Sequence, residues 1–362
     1  MTYLEQLSAP MQDTLEKAGY HTPTPIQEQT LTDLMEGKDL IGIAQTGTGK
    51  TAAFAVPIIE KIFTENRRVQ ALVLCPTREL AMQTTEVFRK LSGHKKMRTV
   101  SVYGGQAASV QIRALRSGAQ VVVGTPGRIK DLIGRNVLKL NHVRHVVLDE
   151  ADEMLDFGFL PDIKQILGYV PAPHQTMLFS ATMGKDVDAV AKRFLVDPAR
   201  VEIGVRNEPI DTIRQLCIKI EDCAKVPAVK QLLKEASPRL TLIFCNTKRR
   251  VQTVTKQLND NGTKTACIHG DLTQSQRDSV MKTFREGTSR VLVATDVAAR
   301  GIDVDDIDLV INYDVPDKPE YYVHRIGRTG RAGHTGLACT LVSPKDRSNL
   351  NSIRNQYHVL MA

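Results

Sequence analysis

Leu40-Ile41-Gly42-Ile43-Ala44-Gln45-Thr46-Gly47-Thr48-Gly49-Lys50-Thr51-Ala52-Ala53-Phe54 is the stretch that decides the fold. Residues 40 to 44 are apolar without alternation, the pattern of a strand buried on both faces. From Thr51 to Phe63 the spacing turns helical. A strand that passes through glycines straight into a helix is half of a βαβ unit, so the sheet is expected to be parallel. The turn between them suits a polyphosphate: its glycines let backbone N–H groups point inward, and the helix N-terminus adds partial positive charge. Lys50 can reach β/γ-phosphates and the Thr51 hydroxyl can hold Mg2+. The strict G-x-x-x-x-G-K-[ST] pattern is missed at its first position, Ala44. Gly47, Gly49 and Ala52 also satisfy a G-x-G-x-x-A dinucleotide fingerprint, so the loop alone leaves both ligands open.

Outward from this unit the rhythm repeats. Unbroken apolar runs at 71–75, 120–124, 145–149 and 176–179 read as further buried strands, with a helical stretch at 79–91. The second half answers with strands at 242–245, 265–269, 290–295, 309–313 and 337–342, and a last helix at 347–357. The expectation is two α/β domains with parallel sheets, residues 1–206 and 212–362. The polar, proline-containing Val205 to Asp211 would join them.

Composition excludes several classes. With 362 residues, 42% hydrophobic and 24% charged, the chain is an ordinary globular one of about two domains, neither disordered nor collagen-like. The net charge of +8 is spread over both halves, so either could face a polyanion. Only 5% of residues are aromatic and none is Trp, which disfavours base-stacking platforms and leaves backbone phosphate as the handle. The six cysteines form no C-x-x-C pair, and four sit in apolar runs, as reduced buried thiols do; no metal–thiolate site is expected. The N-terminus lacks a basic segment followed by an apolar one, and no apolar stretch reaches membrane length, so a cytoplasmic location is expected.

After the strand at 145–149 come Asp149-Glu150-Ala151-Asp152. Carboxylates at the carboxyl end of a parallel strand point into the crevice where such sheets bind ligands. Asp149 is placed to hold Mg2+ through water, and Glu150 to orient and deprotonate an attacking water. A lone Asp-Glu there also reads as the acidic cap of the next helix; the phosphate loop upstream favours chemistry. In His324-Arg325-Ile326-Gly327-Arg328-Thr329-Gly330-Arg331, Arg328 and Arg331 are spaced to put two guanidinium groups on one phosphate, the bland alternative being a solvated basic run. If they reach the phosphate held by the first domain, hydrolysis requires domain closure. Ser180-Ala181-Thr182 and Thr125-Pro126-Gly127-Arg128 also read as helix N-caps. Asp156-Phe157-Gly158 mimics a kinase motif, but nothing else of a kinase accompanies it.

Taken in order, AQTGTGKT, the literal D-E-A-D, SAT and HRIGRTGR make the chain resemble a DEAD-box ATP-dependent RNA helicase core of the bacterial general or cold-shock type, over nearly its whole length. The resemblance implies two tandem RecA-like domains and an RNA-dependent ATPase that remodels short duplexes, with ATP and Mg2+ as cofactors and RNA bound largely without regard to sequence. Ala44 is then the family's own form of the loop, in which residues 44 to 51 (Ala44, Gln45, Thr46, Gly47, Thr48, Gly49, Lys50, Thr51) cradle the nucleotide. Gly19 to Gln27 is similar to the family's adenine-reading segment, where Gln27 bonds the base edge and Tyr20 packs on it; the upstream aromatic, usually Phe, is here Tyr3. Asp303 resembles the ribose-binding acid, His324 the residue linking hydrolysis to RNA, and Ser180 and Thr182 the coupling pair. For RNA the family implies Pro76, Thr77, Arg78, Gly104, Gly105, Thr125, Pro126 and Arg128 in the first domain. In the second it implies Asn246 with Thr247, Gly270, Arg277 and Thr295. Amides, hydroxyls and arginines suit phosphate and sugar, and 2′-OH contacts favour RNA over DNA. Three rivals stand beside this reading. A DNA translocase is disfavoured by the adenine segment and the full D-E-A-D, an ATP-binding RNA clamp by the occupied catalytic positions, and a nicotinamide dehydrogenase rests on G-x-G-x-x-A alone.

Overall fold

The computed structural model describes residues 3–45, 47–204, 213–299, 307–330 and 335–357. The expected linker at 205–211, together with Thr46, Asp303 and Arg331, lies outside them. The chain divides into two compact units, Met1–Val205 and Arg206–Ala362.

The first unit contains strands β1 (Leu40–Ala44), β2 (Ala71–Leu74), β3 (Thr99–Val102), β4 (Val121–Gly124), β5 (His145–Leu148), β6 (Gln175–Ser180) and β7 (Ala199–Ile203). Their order is β3-β4-β2-β5-β6-β1-β7, and every adjacent pair is parallel. Side chains alternate across this sheet, which splits the core in two. Leu40, Val73, Val121, Val147 and Phe179 pack on one side with Phe54 and Phe88 from the helices Lys50–Lys61 and Arg78–Leu91. Ile41, Leu72, Val122, Val146 and Leu178 pack on the other with Ile129 and Leu132 of Pro126–Gly134 and Ile163 of Leu160–Leu167. Helices on both faces are why these strands read as continuous apolar runs.

The second unit repeats the plan with β8 (Ile213–Lys219), β9 (Thr241–Phe244), β10 (Thr265–Ile268), β11 (Val291–Ala294), β12 (Leu309–Asn312) and β13 (Gly336–Val342). The order is β10-β11-β9-β12-β13-β8, again parallel throughout. The expected strands are present to within a residue or two. Three that the apolar runs did not announce, β3, β7 and β8, lie at sheet edges. No helix among the described residues is long and apolar enough to cross a membrane.

Candidate nucleotide and nucleic-acid site

The phosphate loop, the acids, the Ser180–Thr182 segment and the RNA candidates of the first unit follow strand ends at the carboxyl edge of its sheet. The phosphate loop leaves β1, and Lys50, only 7% exposed, folds its ammonium back onto the Ala44 carbonyl at 2.6 Å. Gly47 and Gly49 adopt left-handed φ of 85° and 91°. At Gly49 the need for glycine is double: a Cβ there would also lie 2.5 Å from Gln27 Nε2 and 2.8 Å from Thr24 Oγ1. Gln27 itself closes a capping box at the start of the helix Pro25–Glu36, accepting from the Thr24 N–H at 3.1 Å, and donates to the Gly49 carbonyl at 3.2 Å. The adenine-reading segment is thereby fastened to the phosphate loop. Tyr20 is partly buried against the core next to Tyr3, with Lys90 over its ring at 5.5 Å. Burial, with Tyr20 second, pushes the Tyr3 phenol up to about 12.

Two strands away, β5 ends in Asp149, which is 2% exposed. Burial first and the Glu150 charge second push its carboxyl up to about 7, against the pull of Lys50 and of the Glu150 N–H that it accepts at 3.1 Å. Glu150 has a left-handed backbone, φ 50° and ψ 55°, a strained conformation for a residue with a side chain. It occupies the cap position of the short helix Ala151–Asp156, yet its side chain makes no capping bond, so the cap alternative does not explain the residue. The next carboxylate is fully used. Asp152 Oδ2 accepts from the N–H and the hydroxyl of Thr182, at 3.0 and 2.9 Å, and the Asp152 N–H donates to Ser180 Oγ at 3.3 Å. The Ser180 hydroxyl in turn donates to the Thr182 carbonyl at 2.7 Å. Ser180-Ala181-Thr182 is therefore a clasp between β6 and the acidic segment; the cap of the following helix, Lys185–Phe194, is Gly184.

Strand order divides this edge. β5, β6 and β1 carry the phosphate loop, the acids and the clasp, while β3, β4 and β2 carry the residues expected to meet RNA. There Thr77 caps the helix Arg78–Leu91, accepting from the Leu80 N–H. The Arg78 guanidinium lies 4.8 Å over the Tyr103 ring, just before Gly104 and Gly105. Arg128 donates to the Gln111 side chain at 2.9 Å and to the Gln106 carbonyl at 3.2 Å, which ties the segment Thr125, Pro126, Arg128 to the Gly104-Gly105 turn.

In the second unit the candidates again follow strand ends: Asn246 and Thr247 after β9, Gly270 after β10, Thr295 after β11. Arg277 donates to the Ala298 carbonyl at 3.2 Å, which brings the helix Gln274–Arg285 against the segment after Thr295. His324 and Arg328 belong to the helix Pro319–Ile326 and the turn after it, and share a small pocket with Phe244, Asp296 and Arg325.

Sequence matches agree with this layout. Residues 24–190 match the DEAD/DEAH box helicase family and residues 224–333 the helicase conserved C-terminal domain. The chain is 46% identical over 347 residues to the DEAD-box ATP-dependent RNA helicase CshA of Bacillus subtilis, covering 96% of this chain and 70% of that one. For the Geobacillus kaustophilus CshA the identity is 48%, covering 96% and 74%. The chain belongs to the DEAD-box helicases. A structure of S. cerevisiae Dbp5 bound to RNA and ADP BeF3 superposes on this DEAD-box chain with a TM-score of 0.89 at 32% identity, covering 98% of this chain and 93% of that one. A DEAD box protein from Methanococcus jannaschii gives 0.55 at 39% identity, covering 98% and 96%. The two-sheet plan is thus the RecA-like pair that the family resemblance implies.

Two features of this DEAD-box core were not legible in its motifs. Arg325, 1% exposed, makes a bidentate pair with Asp296 at 2.6 and 2.7 Å and donates to the Asp314 carbonyl at 2.7 Å and to Asn246 Oδ1 at 2.8 Å. It is the post around which the segments of Asn246, Thr295 and His324 are fixed. Behind Asn246 lies the second feature. Its N–H donates to Asp314 at 3.2 Å, and Asp314 faces a fully buried Lys225 that also pairs with Asp222 and Asp346. Although burial pushes the Asp222 carboxyl up, hydrogen bonds from Lys345 and Arg250 prevail and hold it well below the carboxylate range. A lysine inside Cys223-Ala224-Lys225-Val226 shows none of this in sequence, because two of its carboxylate partners arrive from strand ends remote in the chain.

Proposed function

We propose that the chain is an RNA-stimulated ATPase that separates or remodels short RNA duplexes by closing its two units, with ATP bound, on a single-stranded RNA backbone. The observation that carries the reading is the division of one sheet edge. Phosphate loop and acids stand on β1 and β5, phosphate-type contacts on β2 to β4, and the Asp152–Thr182 clasp beside the acids. Lys50 leaves the Ala44 carbonyl for the β/γ-phosphates, while Gln27 and Tyr20 hold the adenine and Asp303 the ribose. Thr51 and Asp149 fit Mg2+, since both offer hard oxygen donors and Asp149 is a buried carboxylate whose charge a cation would offset. When bound, the ion neutralises charge on the phosphate oxygens. Glu150 orients a water and accepts its proton as that water attacks the γ-phosphorus and the bond from that phosphorus to the β,γ-bridging oxygen breaks, leaving ADP and inorganic phosphate. Arg328 and Arg331 stabilise the charge that develops there, and His324 links the event to RNA.

The RNA is held through backbone by Thr77, Arg78, Gly104, Gly105, Thr125 and Arg128 in one unit, and by Asn246, Gly270, Arg277 and Thr295 in the other. Such contacts position a strand without reading its sequence. A strand bent to fit cannot remain in an A-form duplex, so separation follows from binding, while hydrolysis and phosphate release free the strand. We place this activity in the cytoplasm. The test is Glu150→Gln: it should retain ATP and RNA binding yet turn over slowly, and rapid turnover would remove Glu150 as the base.

A further inference from the structure

The second unit holds a further groove at the carboxyl edge of its sheet, between the ends of β8 and β13 and the helix Arg347–Tyr357. Its polar lining consists of three cations, Lys219, Arg347 and Arg354, one acid, Glu221, and the neutral Ser343 and Asn351. Neighbouring Lys345, Lys225 and Arg250 are spent on carboxylates. Lys219, Arg347 and Arg354, in contrast, form no ion pair among the described residues.

The three are presented by rigid elements. Leu350 and Ile353, at 3% and 0% exposure, seat the helix on a core cluster with Val315, Tyr322 and Val342. Arg347 and Arg354 stand seven residues apart, two turns, and so share a face about 10 Å long. Lys219 lies at the end of β8; burial pushes the Cys217 thiol up, and Arg354 and Lys219 both oppose that rise, so the two cations lie near the same point on that strand. A row of cations that long is too extended for a single phosphate and suits successive phosphates of a strand.

The groove also adjoins the expected RNA contacts. β13 and β8 are two and three strands from β9, roughly 10–15 Å at ordinary strand spacing. The Asn246 side chain donates to Asp317 at 3.1 Å, and Asp317 accepts from Asn349 of the same helix at 3.4 Å. A second route runs from Asn246 through Asp314, Lys225 and Asp346 to Ser343 in the groove wall. We propose that this groove is an auxiliary RNA-backbone site, which takes the phosphates of single-stranded RNA running beyond Asn246 and lengthens the footprint of the core. The proposal rests on the RNA-binding reading above.

The test compares the whole chain with its Lys219→Gln/Arg347→Gln/Arg354→Gln variant, using RNAs of about 6 and about 20 nucleotides. Affinity is read by fluorescence anisotropy over a salt series, and ATPase beside it. The expected result is unchanged affinity for the short RNA and unchanged kcat, with several-fold weaker binding of the long one. The slope of log K against log salt for the long RNA should fall by about 2, that is ~0.7 per lost cation. Arg354→Gln alone should remove about a third of that, which separates a local loss of charge from misfolding. Equal affinity and slope on the long RNA overturn the proposal and leave the groove to an acidic protein surface. If the short RNA does not stimulate the wild-type ATPase, the parent reading has failed and this assignment falls with it.

Discussion

Replacing Lys225 by Met should destabilise the second unit by an amount that its burial sets. Lys225 is fully buried; Nζ donates to the Tyr313 carbonyl at 2.8 Å and lies 3.3, 3.4 and 3.9 Å from carboxylates of Asp222, Asp346 and Asp314. Methionine fills much of the same volume but supplies no donor. Asp346 and Asp314, each 13% exposed, then lose the cation they share, while Arg250 stays 3.4 Å from Asp314. Breaking a buried pair by removing one partner costs about 3–5 kcal/mol. Asp222 is 37% exposed and Arg250 remains beside it, so the lower end, about 3 kcal/mol, applies. For a domain of this size that lowers Tm by about 6–12 °C. Thermal unfolding followed by circular dichroism measures it. Lys17→Met serves as control, because it breaks a 2.7 Å pair with Asp13 whose side chains are 74% and 58% exposed, and should leave Tm within about a degree. A Lys225→Met shift below about 2 °C would refute the claim that burial decides the worth of this pair.

Other outcomes follow from the first unit. Gly49→Ala sets a methyl against Gln27 and Thr24 at a φ of 91°, so ATP affinity should fall at least tenfold and stability by about 1–3 kcal/mol, by calorimetry and nucleotide titration. Ser180→Ala/Thr182→Ala removes the hydroxyls that clasp Asp152; ATPase should stay largely intact while duplex separation is depressed, and equal losses of both would count against coupling. Glu150→Gln should slow turnover by about 10²–10⁴ while ATP still binds. His145 at the start of β5 is pushed down to about 4, by burial first, against a hydrogen bond to Gln175 and with Lys61 adding to the fall. Unfolded, it titrates near 6.5, so below that pH the unfolded chain takes up a proton that the folded chain refuses. Its contribution is present above about 6.5 and lost as pH falls towards 4. His145→Gln should flatten the Tm profile of the first unit in that window.

The sequence made the buried centre of each sheet legible and its margins much less so. β1, β2, β4, β5 and β6 are covered on both faces and announce themselves as apolar runs. β7 alternates exposed and covered positions over Ala199–Ile203, and β8 is mostly half-buried with Arg214 and Lys219 exposed, so neither edge strand carries an unbroken apolar run. β3 is a third edge, and its Thr99-Val100-Ser101-Val102 dilutes the apolar signal. In the site, motif residues were legible because their chemistry is local: a glycine turn, a lysine at a helix start, two acids at a strand end. Arg325 and Lys225 were not, since what makes them important is burial beside partners such as Asp296 and Asp346 that only the folded chain assembles. The clasp at Asp152 lies between these cases. Its residues were named, but that Thr182 would bond Asp152 rather than cap a helix is a fact of how β5 and β6 pair.

The central claim, that RNA backbone bound by the same core drives ATP turnover, is tested most directly by the steady-state ATPase rate at one fixed salt concentration. The rate is measured without nucleic acid, with a single-stranded RNA, and with DNA of equal length and sequence. Strong stimulation by RNA and little by DNA is the expected result. Equal stimulation by both would contradict it in favour of a DNA translocase, and none by either would contradict the coupling itself.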